Sequence, residues 1–312
     1  MLKPISSSVA SVTVATNAAQ VLSRQLDALK QQTRKIDEII VVDNASSDGT
    51  RELLATKYPE VTLLKLPDNR GVGGAFSAGL EYTNQKKHDW TWLLDDDSVP
   101  PLEGLQQLLS GLNQLADDRK DIAILAPLIV HEQTQLTTPG YLWRHGLHRP
   151  PTEPSESEIS FVDVVISSGT LIRTKVIEQV GLPRADFFMD FVDHELCLRL
   201  RRHGYRIAVV ASCRLDHSLG DPRKLNLFGI EKSWTDHLPW REYYMTRNEV
   251  FTIWTYYPDW KTKSSIVRRL LRHAAGILFF GQRKLSCLGM IYHGFLDGRA
   301  GRLGIRFLPE LK

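Results

Sequence analysis

Three consecutive carboxylates, Asp95–Asp97 in the stretch WTWLLDDDSVPP, are the residues of this chain best placed to do chemistry. In an extended backbone alternate side chains face the same way, so Asp95 and Asp97 are expected to aim at one point while Asp96 faces elsewhere. Converging carboxylates repel unless a hard divalent cation joins them. Mg²⁺ and Mn²⁺ favour such oxygen ligands and keep positions open for diphosphate oxygens. A solvated acidic turn capping the helix after Pro101 is the plainer alternative, and spacing alone does not separate the two.

Further candidates follow along the chain. In FFMDFVDHELCLRLRRHGY, Asp190 and Asp193 precede a helix that Leu196, Leu198 and Leu200 partly bury. A carboxylate there can accept a proton from a hydroxyl held about 3 Å away, or simply cap the helix. His217, in RLDHSLGD, can give a nitrogen ligand to the same cation or be structural. Asp43 ends EIIVVDN and can accept hydrogen bonds from a base or ribose; an Asx turn with a helix cap fits Asp48 and extends to Asn44. NRGVGGAFSAG sets Arg70 and glycines at a helix start, where bare N–H groups suit an anion and where close helix–sheet packing is the other reading.

The elements that position these groups alternate. Strand patterns at 11–16, 38–44, 61–66, 90–94 and 122–130 are separated by helical patterns at 18–32, from Asp48 through Lys57, at 71–87 and after Pro100–Pro101. This order predicts an α/β, doubly wound, mostly parallel sheet flanked by helices. Residues 132–160 are polar and read as a long loop or flap. Regular structure resumes at 161–173, with a helix at 193–203 and a strand at 206–211. The chain reads as helical after Trp240, at 241–255 and 261–280. The expected division is one domain over 1–240, with halves at about 8–130 and about 160–240, followed by a helical, basic extension over 241–312.

Composition narrows the class. The 312 residues are 42% hydrophobic and 24% charged, which excludes disordered, collagen-like and disulfide-scaffold proteins. No uncharged apolar run approaches the ~18 residues of a membrane span. No signal-like segment precedes the first strand, so a cytoplasmic location is expected. Cys197, Cys213 and Cys287 form no CxxC pair and read as reduced thiols. The net charge of +3 hides an asymmetry, because eleven Lys/Arg face three Asp/Glu from Asp259 onward. A basic tail on an acidic body points to a polyanionic neighbour.

The ordered set VTVAT, EIIVVDNASSDGT, NRGVGGAFSAG, WTWLLDDDSVP, ISSGTLI, DFVDHELCLRLRRHGY and DHSLG resembles inverting glycosyltransferases of family 2, with the GT-A fold, over roughly residues 10–250. It looks closest to the rhamnosyltransferase and galactofuranosyltransferase branch, which YYMTRNEVF is similar to as well. The resemblance implies that residues 1–240 are a catalytic domain, with a nucleotide-binding half at about 8–130 and an acceptor half at about 160–240. By the same resemblance Thr16 and Asp43 hold the base and ribose, and Arg70, Gly73 and Gly74 line the donor loop. It implies that Asp95 and Asp97 bind Mn²⁺ or Mg²⁺ with His217 completing the site, that Asp96 lies near the donor sugar or ribose, and that Asp193 is the catalytic base. Gly169, Arg247 and Asn248 are placed on the donor or acceptor side. The commoner family pattern has Glu-Asp where this chain has Val192–Asp193, which leaves Asp190 as a rival base. The QxxRW motif of processive synthases is absent, implying transfer of one or a few sugars.

The implied partners are a dTDP- or UDP-linked sugar, with a lean toward rhamnose, and a glycan or lipid-linked glycan acceptor in cell-surface polysaccharide synthesis. The tail is expected to contact an anionic membrane at the inner face, or to pack on the catalytic domain or on a second copy of the chain. A dehydrogenase would need GxGxxG after the first strand, and a P-loop nucleotidase would need GxxxxGK[ST]; neither is present. A sugar-nucleotidyltransferase would want a glycine-rich loop where TNAAQ stands. A non-catalytic sugar-nucleotide-binding or scaffold protein is the other alternative. Nucleic acid is not expected, because the acidic body offers no continuous basic face.

Overall fold

The computed structural model describes residues 7–131, 137–145, 147–149, 159–217, 223–227 and 230–308. Strand β1 (Val9–Ala15) is buried at every position, the signature of a strand covered on both faces. Helix α1 (Leu22–Lys30) then buries Leu22, Gln25, Leu26 and Leu29 on one face. The alternation continues through β2 (Glu38–Asp43), α2 (Thr50–Lys57), β3 (Thr62–Lys65), α3 (Gly71–Gln85), β4 (Trp90–Asp95), α4 (Gly104–Gln114) and β5 (Ile122–His131). These elements match the expected order.

Residues 132–160, expected as a loop, carry short strands where they are described: β6 (Thr137–Thr138), β7 (Leu142–Arg144), β8 (Leu147–Arg149) and the start of β9 (Ile159–Val162). β6 pairs with β5, β9 pairs with β11 (Arg206–His217), and β7 pairs with β8. Two- to four-residue strands are too short to leave a periodic signal. Between β9 and β11 come β10 (Leu171–Arg173), α5 (Ile177–Val180) and α6 (Val192–Arg202). The main sheet runs β3-β2-β1-β4-β10-β5-β11-β9. β1, β2, β3 and β4 are parallel, as are β5 and β11, while β10 is antiparallel to both β4 and β5. β10 therefore brings the residues before it beside the C-terminal end of β4.

The chain separates into two compact units. The first comprises the residues up to Leu142, Arg149–Ala185 and Asp193–His217, and contains the main sheet. The second comprises Trp143–His148, Asp186–Val192 and the chain from Ser218 on. It contains the hairpin β12 (Arg223–Leu227) and β13 (Ile230–Trp234), then helices α7 (Pro239–Tyr256), α8 (Trp260–Phe280) and α9 (Lys284–Ala300). α9 was not resolved as a separate helix from the sequence. It packs closely on α7 because Gly294 and Gly298 have no side chain: a Cβ there would lie 2.6 Å from the Tyr243 carbonyl and 2.4 Å from that of Arg247. The three cysteines are buried free thiols.

In the first unit, α3 is drawn onto β1 by Gly79, where a Cβ would stand 2.3 Å from Cγ1 of Val12. Valine has little rotamer freedom with which to retreat. Gly79→Ala gains helix propensity but overpacks the contact, and we expect a net loss of about 1–2 kcal/mol in urea unfolding. An unchanged unfolding midpoint would show that the contact yields without cost.

Candidate active site

The acidic residues occupy the C-terminal end of β4, the edge where open α/β sheets place ligands. β4 ends at Asp95, and Asp96 and Asp97 form a turn closed by the Ser98 N–H on the Asp95 carbonyl at 3.1 Å. The strand alternation from which Asp95 and Asp97 were expected to align is not continued, because β4 ends at Asp95 and the chain turns. Proximity comes from the turn instead. Burial and the charges of Asp97, Asp96 and Asp193 push the Asp95 carboxyl up to about 7, against the pull of a Ser168 hydrogen bond. Asp96 is pushed up to about 6, mainly by burial, although it accepts the Thr16 N–H at 3.3 Å. Asp97 is exposed.

Asp193 lies in the first turn of α6, where the helix dipole favours a carboxylate. Burial opposes its ionisation, but His194 outweighs burial and holds the group below the usual carboxylate range. The His194 N–H and Nδ1 each lie 2.7 Å from Oδ1, and the Ser167 N–H donates to Oδ2 at 3.3 Å. Asp193 is thus an anion at neutral pH within electrostatic reach of Asp95. Tyr141, which the sequence did not point to, is near enough for Asp193 to help burial raise its phenol.

The segment before β10 joins these two groups. Gly169, at φ +77°, donates to the Leu93 carbonyl and accepts from the Trp92 indole, each at 2.9 Å. A Cβ at Gly169 would meet Leu215 at 2.5 Å, so glycine is needed on both conformational and packing grounds. The neighbouring Ser168 reaches Asp95 and the Ser98 hydroxyl, and Ser167 reaches Asp193.

The residues expected at the donor converge in part. Asn44 Nδ2 donates to Thr16 Oγ1 at 3.3 Å and to Asn69 Oδ1 at 2.9 Å, and Asn44 Oδ1 accepts the Arg70 N–H at 2.8 Å. One buried amide therefore ties together the Thr16, Asn69 and Arg70 loops. Asp43 is fully buried, ion-paired to Arg51 and bonded to the Ser46 N–H. Arg70 is exposed, beside Asp68. Gly73 and Gly74 are buried in the first turn of α3, and a Cβ on Gly74 would lie 2.4 Å from the Arg70 Cβ. Packing therefore accounts for Gly74.

In the second unit, Arg247 and Asn248 are fully buried and face main-chain carbonyls, with no surface open to a donor or acceptor. Arg247 donates to the carbonyls of Asp186 and Phe187 at 3.1 and 2.9 Å, and Asn248 to those of Phe187, Met189 and Asp190 at 3.1, 2.8 and 2.8 Å. They hold a segment in which Phe188, Asp190 and Phe191 all have positive φ. Asp190 is engaged by the Arg241 guanidinium at 3.0–3.3 Å.

The acidic turn fits a hard divalent cation by charge. Several carboxylates share one neighbourhood, and among the described residues no lysine or arginine is ion-paired to Asp95, Asp96 or Asp97. Among the described residues no three His, Cys, Asp or Glu side chains stand as a preformed metal site. His217 ends β11, and its side chain lies outside the described set.

The raised Asp95 carboxyl has a consequence for stability. Between its ordinary value of 3.8 and about 7, the folded chain keeps a proton that the unfolded chain releases, so stability falls as pH rises through that window. In metal-free buffer, Asp95→Asn is expected to melt above wild type near pH 8, with the gap closing toward roughly pH 4. Superimposable melting curves across that range would refute the assignment.

Comparison with known proteins identifies the family and the fold. The chain is 28% identical over 212 residues to dTDP-rhamnosyl transferase RfbF of Shigella flexneri, covering 67% of this chain and 68% of that one. It is 29% identical over 219 residues to galactofuranosyltransferase GlfT1 of Mycolicibacterium smegmatis, covering 68% and 71%. The crystal structure of GalNAc-T7 with UDP, GalNAc and Mn²⁺ superposes with a TM-score of 0.63 at 14% identity, over 95% of this chain and 56% of that one, and shares the GT-A fold. The family model "Glycosyl transferase family 2" matches residues 11–181, more than half of the sequence. The chain belongs to glycosyl transferase family 2 and is a glycosyltransferase of GT-A fold.

Proposed function

We propose that this enzyme transfers a sugar from a nucleotide diphosphate to a hydroxyl of a glycan or lipid-linked glycan, with inversion, in the building of a cell-surface polysaccharide. The observation that carries the reading is an ionised Asp193, held by His194 and Ser167, within electrostatic reach of an acidic turn in which Asp95 and Asp96 are driven toward protonation. Two carboxylate environments pushed apart in this way divide base and ligand roles. The acceptor oxygen attacks the anomeric carbon and its proton passes to Asp193. The bond from that carbon to the diphosphate breaks, and the nucleoside diphosphate leaves with the electron pair. The His194 and Ser167 N–H groups keep the Asp193 carboxylate oriented. Mn²⁺ or Mg²⁺ at Asp95 and Asp97, with His217 as a further ligand, would supply charge neutralisation for the leaving diphosphate. Thr16, Asp96 and the Asn44-tied loops frame the nucleotide end. The rhamnosyl and galactofuranosyl transferases among its relatives support a deoxyhexose or furanose donor, and rhamnose on dTDP is our first choice, with UDP sugars next.

Asp190 is the weaker candidate for the base because Arg241 already neutralises it. Asp193→Asn is expected to lower kcat about 100-fold or more with little change in donor affinity, while Asp190→Asn keeps the larger share of activity. The reverse order would move the base. Nucleoside diphosphates are expected to raise the melting temperature only with Mn²⁺ or Mg²⁺ present.

The same reading includes contact with an anionic membrane. No described helix is long and apolar enough to cross a bilayer. α8 and α9 instead expose Trp260, Leu271, Phe279 and Leu285, at 77%, 64%, 76% and 85% of their surface. Lys261, Arg268, Arg272, Arg283 and Lys284 are exposed beside them, and an apolar groove of about 390 Å³ runs between the two helices. The only acid in α8 and α9 is Asp297, which is buried against Arg302 and Arg306. Such a face suits an interface rich in anionic lipid. Phe279→Ser with Leu285→Ser is expected to abolish sedimentation with phosphatidylglycerol vesicles. Undiminished binding would assign the face to a protein partner.

A further inference from the structure

The acidic turn is held from behind by a residue outside every motif discussed so far. Gln25 lies on α1 among Leu22, Leu26 and Leu29 and is fully buried. Its Nε2 donates to the Ser98 carbonyl at 2.9 Å and to the Asp95 carbonyl, while Oε1 accepts from the Thr13 hydroxyl at 2.9 Å. Two carbonyl oxygens can be met only by the amide nitrogen, so the orientation of the carboxamide is set by its partners. Thr13 and Ser98 are themselves fully buried. Both ends of the Gln25 carboxamide are thus spent on one task, bridging β1 to both ends of the turn that carries Asp96 and Asp97.

We propose that Gln25 is a positioning residue that sets the spacing of the Asp95–Asp97 carboxylates. Its donors go to main-chain carbonyls and not to the carboxylates, so it acts through the main chain at Asp95 and Ser98. The turn needs such a brace because its side chains repel one another and the strand ladder ends at Asp95. The Ser98 N–H on the Asp95 carbonyl closes the turn from within, and Ser168 holds it from the β10 side. The Thr16 N–H holds Asp96, and Gln25 adds a hold on the main chain at both ends of the turn. A buried amide satisfied at three points fixes geometry more sharply than apolar packing would, since leaving either carbonyl unpaired is costly. For its binding readout the proposal rests on the cation reading above; the geometry itself does not need a cation.

Gln25→Met keeps side-chain length and removes the donors, and Gln25→Glu sets an acceptor against both carbonyls. Thr83→Val, which cuts a buried hydroxyl network at Thr91 and Thr174 on the other side of the same strand, serves as a control of comparable burial. Two quantities are read on each folded variant: Mn²⁺ affinity by electron paramagnetic resonance, and amide hydrogen exchange across 95–98. Gln25→Met is expected to weaken Mn²⁺ binding by about tenfold to a hundredfold and to speed exchange in the turn, with Gln25→Glu worse and Thr83→Val unchanged in both. Wild-type exchange at 95–98 in Gln25→Met overturns the proposal whatever happens to Mn²⁺. If the wild-type enzyme binds no Mn²⁺, the cation reading fails, and exchange alone decides whether Gln25 braces the turn.

Discussion

Carboxylates crowded at the end of a buried strand repel one another, and much of the first unit serves to hold them there. The confinement comes from several directions. The residue after β1 supplies the Thr16 N–H to Asp96, α1 supplies Gln25, the segment before β10 supplies Ser168, and α6 brings Asp193. Thr16, Gln25 and Ser168 are neutral dipoles, so none cancels the charge, and Asp193 adds to it. A charged brace would settle the electrostatics and leave the site inert toward a cation.

The compensation that does exist is unequal, and chemistry follows from that inequality. Asp193 has an imidazole and two N–H groups on its oxygens, so it stays ionised despite burial. Asp95 has one serine hydroxyl against three acids. Asp190, three residues before Asp193, is settled by a guanidinium. Three aspartates identical in type thus differ in what surrounds them, which neither spacing nor residue identity discloses.

What the sequence revealed, and what it hid, divides along the same line. Buried strands such as VASVTVA and EIIVVD declare themselves by continuous apolar character, and glycines, prolines and polar turns mark their ends. The candidate acids were legible because three in a row after an apolar strand is unusual. The angular relation between Asp95 and Asp97 was not, since it depends on where the ladder stops, and that is decided by β1 and β10. β10 has three residues and no periodic signal, yet it carries Ser167–Gly169 into place. Gln25 left one clue, a glutamine on the apolar face between Leu22 and Leu26. Arg247 and Asn248 were picked out by resemblance as ligand-facing residues. Their actual work, on carbonyls about sixty positions away in the chain, was beyond any local pattern.

That work bears on how the enzyme could be re-engineered. The stretch with left-handed Phe188, Asp190 and Phe191 has no glycine to make such a path easy, and its shape is imposed by donors on α7. Its conformation is therefore encoded in a helix far along the chain. A chimera that grafted this stretch from another transferase while leaving α7 in place would inherit the letters without the fold, whereas transplanting Arg247 and Asn248 with it would carry the template along.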